Sequence, residues 1–310
     1  MSTPEWTLAE IPDLSGKRAM VTGVTSGLGR HTAIELARKG AEVVMVGRDE
    51  IKLGTALEEV RRAAPAAELR RVLLDLADLA SVRRGAEEAS RYGPLHILVN
   101  NAGVMATPHR RTVDGFELQF GTNHLGHFAL TGHLLPALTD SGDARVVTVS
   151  SQMHRTVRSV TMRDPRLPAP HYRKWSAYGQ SKLANLLFAF ELDRRATSAG
   201  LAIASMAAHP GYASTNLQSA GLNMEGSKPD GQIIVAATRL VGQSAQSGAM
   251  PSLMAATLPG LPGGSYVGPS GLGEMRGQPT LVGASRAARD ETRARELWIL
   301  SEDATGVRYP

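Results

Sequence analysis

Tyr178 and Lys182 stand four residues apart, a spacing that on a helix sends both side chains from one face and lets them converge. A free tyrosine has a pKa of about 10 and is a poor base near neutrality. A neighbouring ammonium favours the tyrosinate, each pKa unit being worth about 1.4 kcal/mol, so the pair is suited to passing a proton through a phenol. Alone, such a pair is common on helix surfaces. Ser150 and Ser151 add weight, because they close a run of strand-forming residues, and a hydroxyl at a strand end can hold a substrate oxygen and stabilise charge developing on it. The residues by themselves leave either serine open.

A second feature lies far upstream. Thr22, Gly23, Val24, Thr25, Ser26, Gly27, Leu28 and Gly29 follow an apolar run and lead into an amphipathic stretch. Glycines there let the backbone turn sharply and approach a pyrophosphate, which the free N–H groups of a helix start can bind. The spacing departs from G-x-G-x-x-G, since position 32 is Thr. After the next apolar run come Gly47, Arg48 and Asp49. Gly47 leaves room and Arg48 can pair with a 2′-phosphate, so NADP(H) is expected, with NAD(H) as the second choice. An oxidised nicotinamide would place a second positive charge beside Tyr178. Asp49 is read as a helix N-cap, and Arg30 either as added positive charge or as a solvated helix residue. The cluster Gly271–Gly277 has Arg276 where the fingerprint wants glycine and is read as loop.

The elements needed to position these groups follow from the patterning. Short Val/Ile/Leu-rich runs alternate with amphipathic stretches, the rhythm of βαβ units. Strands are predicted over Ala19–Thr22, Glu42–Gly47, Leu69–Leu74, His96–Asn100, Arg145–Ser150, Ala202–Ala207 and Ser265–Val267. Ala33, Leu36, Ala37 and Gly40 form one small-residue stripe; Leu183, Leu186, Leu187 and Phe190 mark a helix from Trp175 to about Ser198, ended by Gly200. The expected fold is α/β: one Rossmann-type doubly wound domain over residues 1–310, with a parallel sheet of about seven strands. Residues 1–16 form an N-terminal arm, and the irregular stretches 153–172, 218–230 and 258–279 are substrate-side loops.

Composition narrows the function. With 42% hydrophobic and 20% charged residues the chain reads as soluble and globular. No cysteine occurs, which excludes disulfides, thiolate catalysis and cysteine-ligated metals. The +5 charge is spread out, with Arg61, Arg62, Arg70, Arg71, Arg83 and Arg84 among Glu58, Glu59, Glu87 and Glu88, as on solvated helix faces; no nucleic-acid partner is expected. Neither a membrane span nor a secretory start is visible, so a cytoplasmic location is expected. His124, His127 and His133 lack a metal-binding pattern, and no metal is expected. His209 is read as a packed or hydrogen-bonded residue, and His154 as a partly exposed loop residue. Around Ser151 there is no G-x-S-x-G elbow, which argues against a serine hydrolase.

Taken together, these motifs resemble the short-chain dehydrogenases/reductases from Lys17 to the C-terminus. They are the Thr22–Gly29 turn, Asn100-Asn101-Ala102-Gly103, Asn123, Ser151, Tyr178-Gly179-Gln180-Ser181-Lys182, and Pro210-Gly211 with Thr215. The resemblance implies that Ser151 orients the substrate oxygen, Tyr178 exchanges the proton, Lys182 binds nicotinamide ribose while lowering the tyrosine pKa, and Asn123 holds a relay water. It further implies cofactor contacts from Asp75 and Leu76 on the adenine side, from Ala102 and Gly103, and from Thr215 on the carboxamide, with Asn101 bracing the central strand. Phe120–Phe128, the wide Ser151-to-Tyr178 separation and Ser181–Asn185 are most similar to the retinol dehydrogenase-like branch. The expected activity is interconversion of a lipophilic carbonyl compound and its alcohol by hydride transfer. The rival reading is a non-catalytic NADP(H)-binding regulator, and a homo-oligomer is left open.

Overall fold

The computed structural model describes residues 6–161, 163–166, 171–212 and 243–310. Its strands are β1 (Arg18–Thr22), β2 (Glu42–Gly47), β3 (Leu69–Leu73), β4 (Ile97–Asn100), β5 (Ala144–Val149), β6 (Ile203–Ala208), β7 (Tyr266–Pro269) and β8 (Pro279–Leu281). They form one sheet in the order β3-β2-β1-β4-β5-β6-β7-β8. Every pairing is parallel except β7 with β8. The apolar runs therefore sit where they were expected, to within a residue or two. The eighth, antiparallel strand was not anticipated, because it is three residues long, begins with proline and lies in a Gly/Pro-rich stretch. A reversed edge strand on a parallel sheet is a common ending for this architecture.

Helices cover both faces. Helix α1 (Gly27–Arg38) follows β1, α2 (Glu50–Ala63) follows β2 and α3 (Leu79–Ser90) follows β3. Ala33, Leu36 and Ala37 are buried as the stripe requires. Gly40 lies beyond the helix at φ +91°, where it reverses the chain instead of continuing the stripe. Asp49 caps α2 by accepting from the Lys52 N–H at 3.0 Å. Arg70 and Arg71 lie on β3 and not on a helix face, since that strand forms the sheet edge.

A continuous rod, α4, runs through Leu118–Phe120, Gly121–Leu125 and Gly126–His133, with its middle segment wound as a π-helix. After α5 (Leu135–Thr139) and β5 comes the long α6 (Lys174–Ser198), followed by β6, α7 (Ala245–Thr257) and, after β8, α8 (Glu291–Thr305). Leu183, Leu186, Leu187 and Phe190 of α6 are buried, each worth about 1.5–3 kcal/mol of transfer free energy. Residues 6–16 are no loose arm, for Trp6, Ile11 and Leu14 join the core beneath β1 and β2. The strand order reverses between β1 and β4, which opens a crevice at their carboxyl ends, where such sheets receive ligands. The expected loop 218–230 and Thr215 lie outside the described residues.

Candidate active site

The crevice is floored by the Thr22–Gly29 turn. Gly23 and Gly27 adopt φ +74° and +57°, the left-handed region that glycine enters without penalty. A Cβ on Gly29 would stand 2.4 Å from Asn101 Nδ2 and 2.5 Å from the Gly23 carbonyl oxygen, so only glycine fits. Ser26 begins α1 without a side-chain cap, which leaves the first backbone N–H groups of the helix for a ligand. This cradle, with the Thr25 methyl 3.0 Å from where a Gly47 Cβ would be, fits a dinucleotide. Arg48 is exposed and makes no ion pair or hydrogen bond among the described residues. Arg30, by contrast, pairs with Glu59 at 2.5 Å.

Across the crevice, Asn101 Nδ2 donates to the Thr22 carbonyl at 2.7 Å, and the Asn101 and Ala102 N–H groups both donate to Thr22 Oγ1 at 2.9 Å. Asn101 thus braces the end of β1. Asp75 spends one carboxylate oxygen on the Ala77 N–H, and Leu76 is buried against Gly126 of α4. Gly103 sits where a Cβ would meet Asn123 Oδ1 at 3.0 Å and Lys182 Nζ at 3.8 Å, so the backbone runs directly past the reacting groups.

Tyr178 and Lys182 both leave the buried face of α6, with the ammonium 5.7 Å from the phenol ring centre. Ser151 stands beside the phenol and lowers its pKa, and its hydroxyl accepts from the Met153 N–H at 3.2 Å. Ser150 points elsewhere and donates to the Lys182 carbonyl at 2.8 Å. Geometry therefore separates the two serines, which the residues alone left open. Lys182 Nζ donates to the Val149 carbonyl at 3.0 Å. Burial pushes Lys182 down to about 8 and Tyr178 up to about 12, the latter only partly offset by the Ser151 hydrogen bond. The two positive neighbours expected to favour the tyrosinate, Lys182 and an oxidised nicotinamide, would have to work against this burial.

The Asn123 side chain bonds on both sides. Its Oδ1 accepts from the Val104 N–H at 2.7 Å, and its Nδ2 donates to the Val104 carbonyl at 2.9 Å and to Ser181 Oγ at 3.0 Å. It fastens the loop after β4 to α6, and Oδ1 keeps a second lone pair that can accept from a water. Beside it stands His127, which the sequence reading set aside. Nδ1 faces the Asn123 carbonyl at 3.0 Å and so carries the proton, and Nε2 therefore accepts from the Thr22 hydroxyl at 2.9 Å. Burial drives His127 down to about 4, keeping it neutral. The only sequence signal for this link is the four-residue step from Asn123.

His154 corrects its expectation. It is wholly buried, with Nδ1 bonded to the Ser151 carbonyl at 2.7 Å and Nε2 accepting from the Ser285 N–H at 3.2 Å. His209 is buried and bonded to Glu274, in keeping with its reading. Pro210 and Gly211 follow it at the carboxyl edge, Gly211 at φ +63°. A cavity of about 420 Å³ bounded by Glu117, Phe120, Val160, Tyr172 and Gln180 opens near the start of α6. None of Ser151, Tyr178 and Lys182 lines it, so the reaction site is assigned to the crevice. Among the described residues no helix is long and apolar enough to cross a membrane.

Comparison with known proteins agrees with this geometry. Residues 17–163 match the family model of the short chain dehydrogenases. Polyprenol dehydrogenase of Mus musculus is 40% identical over 96% of this chain and 86% of its own. Retinol dehydrogenase 13 of Homo sapiens is 36% identical over 96% of this chain and 87% of its own. The crystal structure of an uncharacterized protein from Mycobacterium Paratuberculosis superposes with a TM-score of 0.80 at 44% identity, covering 99% of both chains.

Proposed function

The chain belongs to the short-chain dehydrogenase/reductase family, on its retinol dehydrogenase-like branch, and from that premise we propose that it reduces a lipophilic aldehyde or ketone with NADPH, using Tyr178 as proton donor. It is an oxidoreductase acting on CH–OH and C=O groups with a nicotinamide cofactor, as its family is. The finer reading rests on one observation: Ser151 and Lys182 converge on a single buried phenol beside a crevice shaped for a dinucleotide.

Bound NADPH would supply the hydride. The chain's residues do the rest. The Thr22–Gly29 turn would hold the pyrophosphate, and Arg48, free of any acidic partner among the described residues, would bind the 2′-phosphate. Lys182 would reach the nicotinamide ribose. Ser151 would donate to the substrate oxygen and, with Tyr178, polarise the carbonyl. A phenol held near 12 is protonated at any ordinary pH, which suits an acid in the reduction direction; hydride arrival makes the substrate oxygen basic enough to take that proton. In oxidation the same residues act in reverse, and a cationic nicotinamide would favour the phenolate. Asn123 contributes by fixing the β4 loop, and a remaining lone pair on its Oδ1 or its carbonyl would hold the relay water. We place the enzyme in the cytoplasm. The relatives named for polyprenol and retinol favour long apolar substrates.

The test is a panel of hydrophobic aldehydes and ketones, including decanal, citral and retinal, followed by nicotinamide absorbance with both cofactors. Turnover is expected with NADPH, and Tyr178→Phe is expected to abolish it while NADPH still quenches protein fluorescence. Wild-type-like turnover in that variant would refute the assignment.

A further inference from the structure

The Gly271–Gly277 loop, which resembles a phosphate fingerprint only superficially, sends one carboxylate into the protein. Glu274 adopts φ +55°, a left-handed conformation that costs a non-glycine residue about 1 kcal/mol or more and persists only when its surroundings enforce it. Its side chain is 24% exposed. Oε2 accepts from His209 Nε2 at 3.0 Å and from Gln152 Nε2, and Oε1 faces the Arg155 guanidinium at 3.3 Å. Because His209 Nδ1 accepts from the Gly211 N–H at 3.2 Å, the imidazole proton sits on Nε2 and a neutral ring donates to Glu274.

The partners lie on the turns that leave two neighbouring strands, β5 and β6, on the two sides of the loop's seat. Gln152 directly follows Ser151 and opens the short 3-10 helix Gln152–Thr156 that Ser151 caps. His209 directly precedes Pro210 and Gly211. The loop is seated on that second turn by its backbone as well: the Met275 carbonyl accepts from the Tyr212 N–H at 2.8 Å, and a Cβ on Gly211 would meet the same oxygen at 2.4 Å. Gly268 is equally constrained, since a Cβ there would fall 2.0 Å from His209 Nε2.

We propose that Glu274 is a positioning residue that ties the Ser151 turn to the His209–Gly211 turn and so sets the spacing between the substrate-oxygen donor and the cofactor side of the site. The proposal rests on the assignment of Ser151 and Tyr178 above. A carboxylate suits this task because it takes donors from both turns at once, whereas a neutral side chain satisfies one turn at the expense of the other. Reacting groups displaced by about 1 Å can lose up to about a hundredfold in rate without any loss of binding.

The experiment compares the full-length wild type with Glu274→Ala, Glu274→Gln, Gln152→Ala and Tyr178→Phe. Single-turnover hydride transfer from NADPH to the fastest aldehyde of the panel is measured beside NADPH affinity and thermal melting. Glu274→Ala is expected to slow hydride transfer about ten- to a hundredfold with NADPH affinity within about twofold of wild type. Glu274→Gln is expected to recover part of the rate, since its carboxamide oxygen can still accept from His209. Gln152→Ala, which removes one of the two donors that the Ser151 side gives Glu274 and leaves Arg155 in place, is expected to slow the same step by less than Glu274→Ala. In a double-mutant cycle Glu274→Ala and Gln152→Ala are expected to be less than additive. Wild-type hydride transfer in Glu274→Ala overturns the proposal, as does a loss that merely tracks melting and is not recovered by glutamine. An active Tyr178→Phe variant removes the underlying assignment, and the proposal falls with it; an inactive one beside a normal Glu274→Ala sinks the clamp alone.

Discussion

A phenol buried as deeply as Tyr178 keeps its proton, and Ser151 is the neighbour that partly offsets that burial. The two serines should therefore part company on mutation. Ser151→Ala is expected to cost about a hundredfold or more in kcat, measured at saturating NADPH. Ser150→Ala, which removes a bond to the Lys182 carbonyl, is expected to cost about 1 kcal/mol of stability and little turnover. Gly29→Ala forces a methyl against Asn101 and the Gly23 carbonyl; dinucleotide binding is expected to disappear in a titration followed by fluorescence. Tyr178, Lys182 and the glycines were legible in the sequence because their relationship is local, one helix turn or one backbone turn. The direction of the tyrosine's titration was not, because it depends on burial by α4, β5 and the β4 loop, which no spacing records.

At the scale of elements, the end of β1 and the π-wound turn of α4 are joined through His127, whose partner Thr22 lies 105 residues away. His127→Leu would take a partner from the Asn123 carbonyl, worth about 1–3 kcal/mol when left unsatisfied, and leave the Thr22 hydroxyl with only the longer bond to the Val99 carbonyl at 3.3 Å to donate. The melting temperature is expected to fall and NADPH binding to weaken together, as read by calorimetry and fluorescence titration. The parallel strands and their crossover helices could be read from apolar runs and stripes. β8 could not, for Pro279–Leu281 is too short to carry a pattern and owes its pairing to β7. His154 was misjudged for a related reason: its burial comes from Ser285 and Tyr266, both supplied by distant chain.

For the molecule as a whole, four buried histidines, His124, His127, His154 and His209, all lowered by burial, set an acid limit. Burial lowers His124 and His209 to about 3 and His127 to about 4, against an unfolded value of about 6.5. Between those limits the unfolded chain binds protons that the native state refuses, so stability falls as pH falls. The slope is up to about 1.4 kcal/mol per histidine per pH unit. Glu117 and Asp193, whose carboxyls are raised by burial, act in the opposite sense near the carboxylate range and soften it. Melting temperature is expected to hold above about pH 6.5 and decline steadily below it; a flat profile down to pH 5 would contradict the buried neutral state.

The sheet also ends in two different ways. On one side β8 is brief and starts with proline; on the other, β3 turns Arg70 and Arg71 outward, with side chains 46% and 57% exposed. Such charges keep a bare strand from recruiting another molecule's strand. Replacing both arginines with valine is expected to leave the melting curve of dilute protein nearly unchanged while making concentrated solutions scatter light, a liability of association that no assay of turnover would reveal.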